Sequence, residues 1–142
     1  LDRKIAEGKI GRIGLSQVTV DDIEAAAAIT PIATVQNLYN LANREADPVI
    51  DYCEHEGIGF IPWFPMATGR LAQSRGPLQR IAAEHATTPA QLALAWLLRR
   101  SPVVLPIPGT SSVAHLEENV GAALIDLTPD QFRQLNAQKV QA

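Results

Sequence analysis

The sequence holds a single cysteine, Cys53, among 142 residues. That excludes an intrachain disulfide and a cysteine-rich zinc site, and it suits a reducing compartment, so the cytoplasm is the expected location. Histidine is scarce as well. His55, His85 and His115 fall on three separate helical segments without ligand spacing, so no metal site is expected. Positive charge shows no excess: 12 Lys and Arg against 15 Asp and Glu leave a net charge of -3. This excludes a broad basic surface, and with it nucleic acid as the main partner. No apolar run is long enough to cross a bilayer, and the longest are broken by Pro or charge, so no membrane partner is expected. No GxGxxG follows any strand candidate, which removes support for a Rossmann dinucleotide site. The length is also far below the roughly 250 residues of a complete (β/α)8 barrel.

What is present is an ordinary globular composition, 46% hydrophobic and 19% charged, read as a single domain over residues 1–142. Residues 1–9 read as the last turns of a helix ending at Gly8, which makes the chain look cut from something longer. Short apolar runs then alternate with helical segments. Strands are expected near residues 11–15, 33–38, 59–63 and 103–107. Thr19 offers an N-cap to a helix running to Ile29, and Asp47-Pro48 reads as N-cap plus first helical residue of a helix closing at Gly57. Further helices are expected over Pro77–His85, from Thr88-Pro89 to Pro102, over Ser112–Ala123 and after the capping box Thr128–Gln131. Phe64 to about Gly76 reads as a long irregular stretch. Four strand–helix repeats argue for parallel strands with helical crossovers. Two arrangements satisfy that pattern: a four-stranded doubly wound sheet, or four units of a barrel.

Every strand candidate ends in polar or aromatic residues. The ends are Gly14-Leu15-Ser16-Gln17; Gln36, Asn37, Tyr39 and Asn40; Trp63-Phe64-Pro65-Met66; and Gly109-Thr110-Ser111-Ser112 running into a helix. Barrels and open α/β sheets both bind ligands at the carboxyl ends of their strands. Hydroxyls and free amides at a helix start suit an anion such as phosphate. The expectation is a small phosphorylated ligand at the strand ends.

Four segments go further. GKIGRIGLSQV, VQNLYN, FIPWFPMATGRL and VVLPIPGTSSVAHLEENVGAAL resemble successive motifs of the aldo-keto reductase family, in the family's order and across nearly the whole chain. The resemblance implies an α/β fold that is a partial TIM (β/α)8 barrel: four consecutive βα units, the second half of the family's barrel, with a C-terminal helix. It also implies an NADP(H) site. Ser16 and Gln36 match residues that hydrogen-bond the nicotinamide carboxamide, and Gln17 stands where the family usually has Asn. Trp63 matches the aromatic that stacks on the nicotinamide. Phe64, Pro65 and Met66 match the segment whose backbone approaches the pyrophosphate, and Gly69 and Arg70 the loop folded over the cofactor. Gly109, Thr110, Ser111 and Ser112 match the surroundings of the 2'-phosphate, and Glu118 and Asn119 the adenine contacts. His115 stands where many members place Arg, and Gly109 where many place Lys, so the phosphate clamp carries less charge here.

The family's catalytic Asp, Tyr, Lys and His belong to the first half of its barrel, which this sequence does not include. The lysines here are Lys4, Lys9 and Lys139, none at a core strand end, and neither Tyr39 nor Tyr52 has a Lys beside it in sequence. A phenol without a charged neighbour is a poor proton donor at neutral pH. No catalytic residue is therefore assigned. The expected activity is oxidoreduction of a small-molecule carbonyl by an enzyme of which this chain supplies the cofactor-binding half. The alternative is a non-catalytic half-barrel or association domain that has kept the motifs. Half a barrel exposes two strand edges and an apolar interior, so the expected partner is a missing N-terminal half or a second copy of the chain.

Overall fold

The computed structural model describes residues 1–65 and 76–137. Thr19, Thr88 and Thr128 each start a helix in the same way. The threonine Oγ1 accepts the N–H three residues on, at 3.2 Å in all three, and the side chain of that residue accepts the threonine N–H in return. Asp22, Gln91 and Gln131 are the returning partners, so two orphan donors are satisfied at each start. The elements are α1 (Asp2–Ala6), β1 (Ile13–Ser16), α2 (Val20–Ala27), β2 (Ile32–Leu38), α3 (Asp47–Glu56) and β3 (Gly59–Trp63). After residues 66–75 come α4 (Pro77–Glu84), α5 (Pro89–Arg100), α6 (Val113–Gly121), a 3-10 turn (Ala122–Leu124) and α7 (Pro129–Ala137).

The strands pair in parallel in the order β1-β2-β3, each beside its neighbour in sequence. No strand lies between non-sequential neighbours, so the described sheet is a segment of barrel wall rather than a doubly wound sheet. The register shifts between Ile13 and Gly14, where β1 comes close to β2. A Cβ at Gly14 would collide with Thr34 Oγ1 and stand 3.2 Å from the Thr34 carbonyl oxygen.

The fourth strand, expected at residues 103–107, is reduced to one bridge, Phe60 with Val104. Two bonds make it: Phe60 N–H to Val103 O and Leu105 N–H to Phe60 O, both 2.8 Å. In a parallel ladder the next rung needs the N–H of residue 62, and Pro62 has none. Pro106 and Pro108 remove further donors from the segment itself. Smaller differences follow local chemistry. The first strand starts at Ile13 rather than Gly11, and α2 stops at Ala27, short of Ile29. Ala46, not Asp47, is the N-cap of α3, with Asp47 in the first turn, and Gly57 closes that helix at φ 67. Beyond Gly121, α6 tightens into the 3-10 turn.

The core lies between the sheet and the helices. Val35 and Phe60 from the strands, with Tyr39 just past β2, meet Ile50, Cys53, Leu92, Trp96 and Leu97 from α3 and α5. Tyr39 stacks on Trp96 (centroids 5.6 Å, 16°), meets Phe60 edge-on, and Trp96 stacks in turn on Phe132 of α7. The Trp96 indole N–H donates to Asn136 Oδ1 at 2.9 Å, so this large buried side chain leaves no orphan donor.

Candidate functional site

Alternation along the strands sends two sets of side chains in opposite directions. Val35, Asn37, Phe60 and Pro62 are buried against the helices. Thr34, Gln36, Leu38, Ile61 and Trp63 face the other way and stay partly accessible, with Ser16 exposed beside them. The register sets Ser16 opposite Gln36 and Leu38 opposite Trp63. The sequence-derived residues Ser16, Gln36 and Trp63 therefore share one face, on three adjacent strands, at the carboxyl ends.

Several polar side chains hold these ends in place. Asn37 clasps the chain after β1: its Oδ1 accepts Val18 N–H at 3.1 Å and its Nδ2 donates to Val18 O at 2.8 Å. Asn40, almost fully buried, accepts the N–H groups of Ala42 and Asn43 and donates to Phe64 O at 3.1 Å. Phe64 sits at φ 59, a left-handed conformation uncommon outside glycine, and its ring lies 6.3 Å from that of Trp63. Pro65 is buried. The sequence places Asn37 and Asn40 among the polar residues of the second strand's end without giving either a role; the structure gives both the role of holding neighbouring backbone. Met66, Gly69 and Arg70 lie outside the described residues.

The fourth strand end leads into α6. Ser112 is its N-cap: the Oγ accepts His115 N–H at 3.4 Å, and Ser112 N–H donates to Thr110 Oγ1 at 3.1 Å. The first helical bond is Leu116 N–H to Ser112 O, so the amides of Val113 and Ala114 have no acceptor within the helix. Gly109, Thr110, His115, Glu118 and Asn119 line a cleft of about 220 Å³ with Ala90. Five residues picked from sequence thus meet in one place. The backbone of Glu118 is tied to α5 through Gln91 Nε2, at 3.0 Å. Ser111 is exposed at the mouth of this turn.

Beneath the strand ends, Tyr39 and Arg100 form a charged cluster with Asp47 and Asp51. The Tyr39 hydroxyl donates to Asp47 Oδ1 at 2.6 Å, while Arg100 donates to Asp47 at 3.1 Å and to Asp51 at 2.6 Å. Burial, then the hydrogen bond and charge of Asp47, push the Tyr39 phenol well above its ordinary pKa. A proton donor at neutral pH needs the opposite shift, so Tyr39 is a core hydroxyl. Burial also pushes the Cys53 thiol up to about 11, the mark of an unactivated side chain. Among the described residues, no three His, Cys, Asp or Glu side chains come together as metal ligands. Nor is any helix among them long and apolar enough to cross a membrane.

Residues 1–139 match the sequence model of the aldo/keto reductase family. The chain belongs to that family. This aldo-keto reductase chain is 52% identical over 130 residues to an uncharacterized oxidoreductase of Schizosaccharomyces pombe, covering 92% of itself and 42% of that protein. It is 45% identical over 130 residues to the pyridoxine 4-dehydrogenase of Escherichia coli, covering 92% and 45%. An aldo-keto reductase from Klebsiella pneumoniae, solved in complex with NADPH, superposes with a TM-score of 0.85 at 29% identity, over 98% of this chain and 54% of that one. The chain spans about half the length of the relatives it matches. Its strands and helices correspond to part of an aldo-keto reductase barrel.

Proposed function

We propose that residues 1–142 form one domain, the nicotinamide-nucleotide-binding half of an NADP(H)-dependent oxidoreductase that interconverts carbonyls and alcohols. The observation that carries this is two groups of residues at the carboxyl ends of the strands. One is Ser16, Gln36 and Trp63; the other is the α6 start with the cleft of Thr110, His115, Glu118 and Asn119. The groups fit a dinucleotide by their chemistry. The free first-turn amides of α6 and the hydroxyls of Thr110 and Ser112 suit the 2'-phosphate. Asn119 and Glu118 offer polar partners to a purine edge. An indole on the open sheet face suits a flat aromatic ring, and the amide of Gln36 and the hydroxyl of Ser16 suit its carboxamide. NADP(H), when bound, supplies or accepts the hydride; the chain's own residues hold and orient it. The NADPH complex of the Klebsiella pneumoniae relative supports this reading.

Titration calorimetry with NADP+ and NAD+ tests it. Contacts confined to one half of a barrel give an expected Kd for NADP+ in the high micromolar range. Ser112→Ala combined with His115→Ala is expected to weaken NADP+ about tenfold, about 1.4 kcal/mol, and NAD+ much less. Equal losses for both nucleotides would place the 2'-phosphate elsewhere and leave Ser112 as a helix cap.

One further observation favours an associating role beside the first. Leu105, Val113, Leu116, Val120 and Leu124 are all more than half exposed. Leu94, Leu98, Leu105, Leu116 and Val120 line an apolar groove of about 410 Å³ next to the short Val104 edge. Exposed apolar surface beside an unpaired sheet edge drives association. Light scattering is expected to show self-association rising with concentration, and a monomer that resists concentration would overturn this reading.

A further inference from the structure

Gln17 follows β1 and extends its pairing by one bond, donating its N–H to Gln36 O at 3.0 Å. Its backbone then turns into the left-handed region, at φ 53. The side chain lies across the ends of the next two strands. Its Oε1 accepts the Leu38 N–H at 2.7 Å and the Trp63 indole N–H at 2.9 Å. Both partners are donors, so the amide must present its oxygen to them and its NH2 group away from them. One side chain thus ties together three strand ends that are 21 and 46 residues apart in sequence.

The indole needs such a tie. Trp63 lies on the open face of the sheet, and its one aromatic neighbour among the described residues is Phe64, tilted by 55° at 6.3 Å. Among the described residues no pair of rings encloses it as Tyr39 and Phe132 enclose Trp96. A ring fixed at one edge by a hydrogen bond keeps its plane, and a flat ligand then stacks on it without first ordering it. The reach is specific to the residue. An asparagine is one methylene shorter, about 1.5 Å, and from the same backbone its oxygen falls outside hydrogen-bond range of at least one donor.

We infer that Gln17 is the positioning residue for Trp63: its Oε1 sets the pose of the indole and thereby the strength of stacking at the strand ends. The part that concerns a nucleotide rests on the NADP(H) reading above; the part that concerns the indole does not.

The test uses the 15N-labelled chain, which carries two indole N–H signals. Trp96, bonded to Asn136, serves as the internal control. Gln17→Met keeps the length and removes the acceptor. Gln17→Asn keeps the amide and shortens it, at a position whose backbone suits Asn. Gln17→Glu keeps both length and acceptor. Hydrogen exchange at the Trp63 indole is expected to speed up about tenfold in the Met and Asn variants, to return towards the original rate in Glu, and to stay unchanged at Trp96. NADP+ affinity is expected to fall about threefold to tenfold in Gln17→Asn and not to fall further when Trp63→Phe is already present. An unchanged Trp63 exchange rate in both variants would overturn the inference. So would an equal loss of NADP+ affinity in the Trp63→Phe background, because Gln17 would then act without the indole. If the unaltered chain shows no NADP+ saturation, the nucleotide reading fails, and the exchange rates decide the indole pose by themselves.

Discussion

Val35, Asn37, Tyr39, Phe60 and Pro62 on the helix side of the sheet are all buried, whereas Thr34, Gln36, Leu38, Ile61 and Trp63 on the opposite side keep partial access to solvent. The two tryptophans measure the difference. Trp96 is fully buried, stacked on two rings and hydrogen-bonded to Asn136. Trp63 has, among the described residues, one side-chain hydrogen bond and a tilted ring neighbour in Phe64. The helix side is a finished core, in which each side chain contributes to folding. The open side carries partly accessible side chains, and Gln36 and Trp63 at its carboxyl end are the ones placed to meet a ligand.

Exchanging the tryptophans one at a time breaks this comparison most directly. Trp96→Ala is expected to cost about 3–5 kcal/mol of stability, the usual range for emptying a large buried site. Trp63→Ala is expected to stay within about 1 kcal/mol while abolishing ring stacking. Urea denaturation of the two variants reads both numbers, and equal losses would mean that the open face is part of the core. Arg100→Met is expected to lie between them, at about 1–2 kcal/mol, because it removes the charged hydrogen bonds to Asp47 and Asp51 but leaves an apolar stem to pack. The smallest effect belongs to the capping box of α2. The backbone N–H of Thr19, then its hydroxyl, hold the Asp22 carboxyl below its ordinary pKa. A lowered folded pKa gives stability that is present above the ordinary carboxylate value and lost as pH falls through the folded one. Thermal unfolding followed below pH 4 should therefore show an acid slope that Asp22→Ala reduces.

Local chemistry was the legible part. Thr19, Thr88 and Thr128 announce their helices because the cap and its partner lie three residues apart. Gly57 closes α3 because a left-handed residue suits that end. The strand–helix alternation read correctly as parallel strands joined by helical crossovers for β1, β2 and β3. What failed to show was chemistry between distant residues. Residues 103–107 have the composition of a strand, yet the missing rung is set by Pro62, on the neighbouring strand. Gln17 reads as a ligand contact by its place in a motif, while its oxygen is engaged with an indole 46 residues away. The link from Asn40 to Phe64 O spans 24 residues, and that from Arg100 to Asp47 spans 53. The cleft at α6 was legible because Gly109 to Asn119 form one short stretch, a loop and the first turns of a helix.

The close approach of β1 to β2 at Gly14 has a consequence for how this wall can be recombined. Any side chain at 14 enters the space of Thr34 Oγ1, so positions 14 and 34 form a single choice rather than two. A chimaera that takes β1 from one relative and β2 from another inherits a collision unless the first brings glycine at 14 or the second a residue without a γ-oxygen, such as alanine, at 34. The same constraint orders substitution in time: Thr34→Ala removes the Oγ1 that a Cβ at 14 would strike and leaves the 3.2 Å approach to the residue-34 carbonyl oxygen, so a side chain enters at 14 at lower cost after 34 has changed than before.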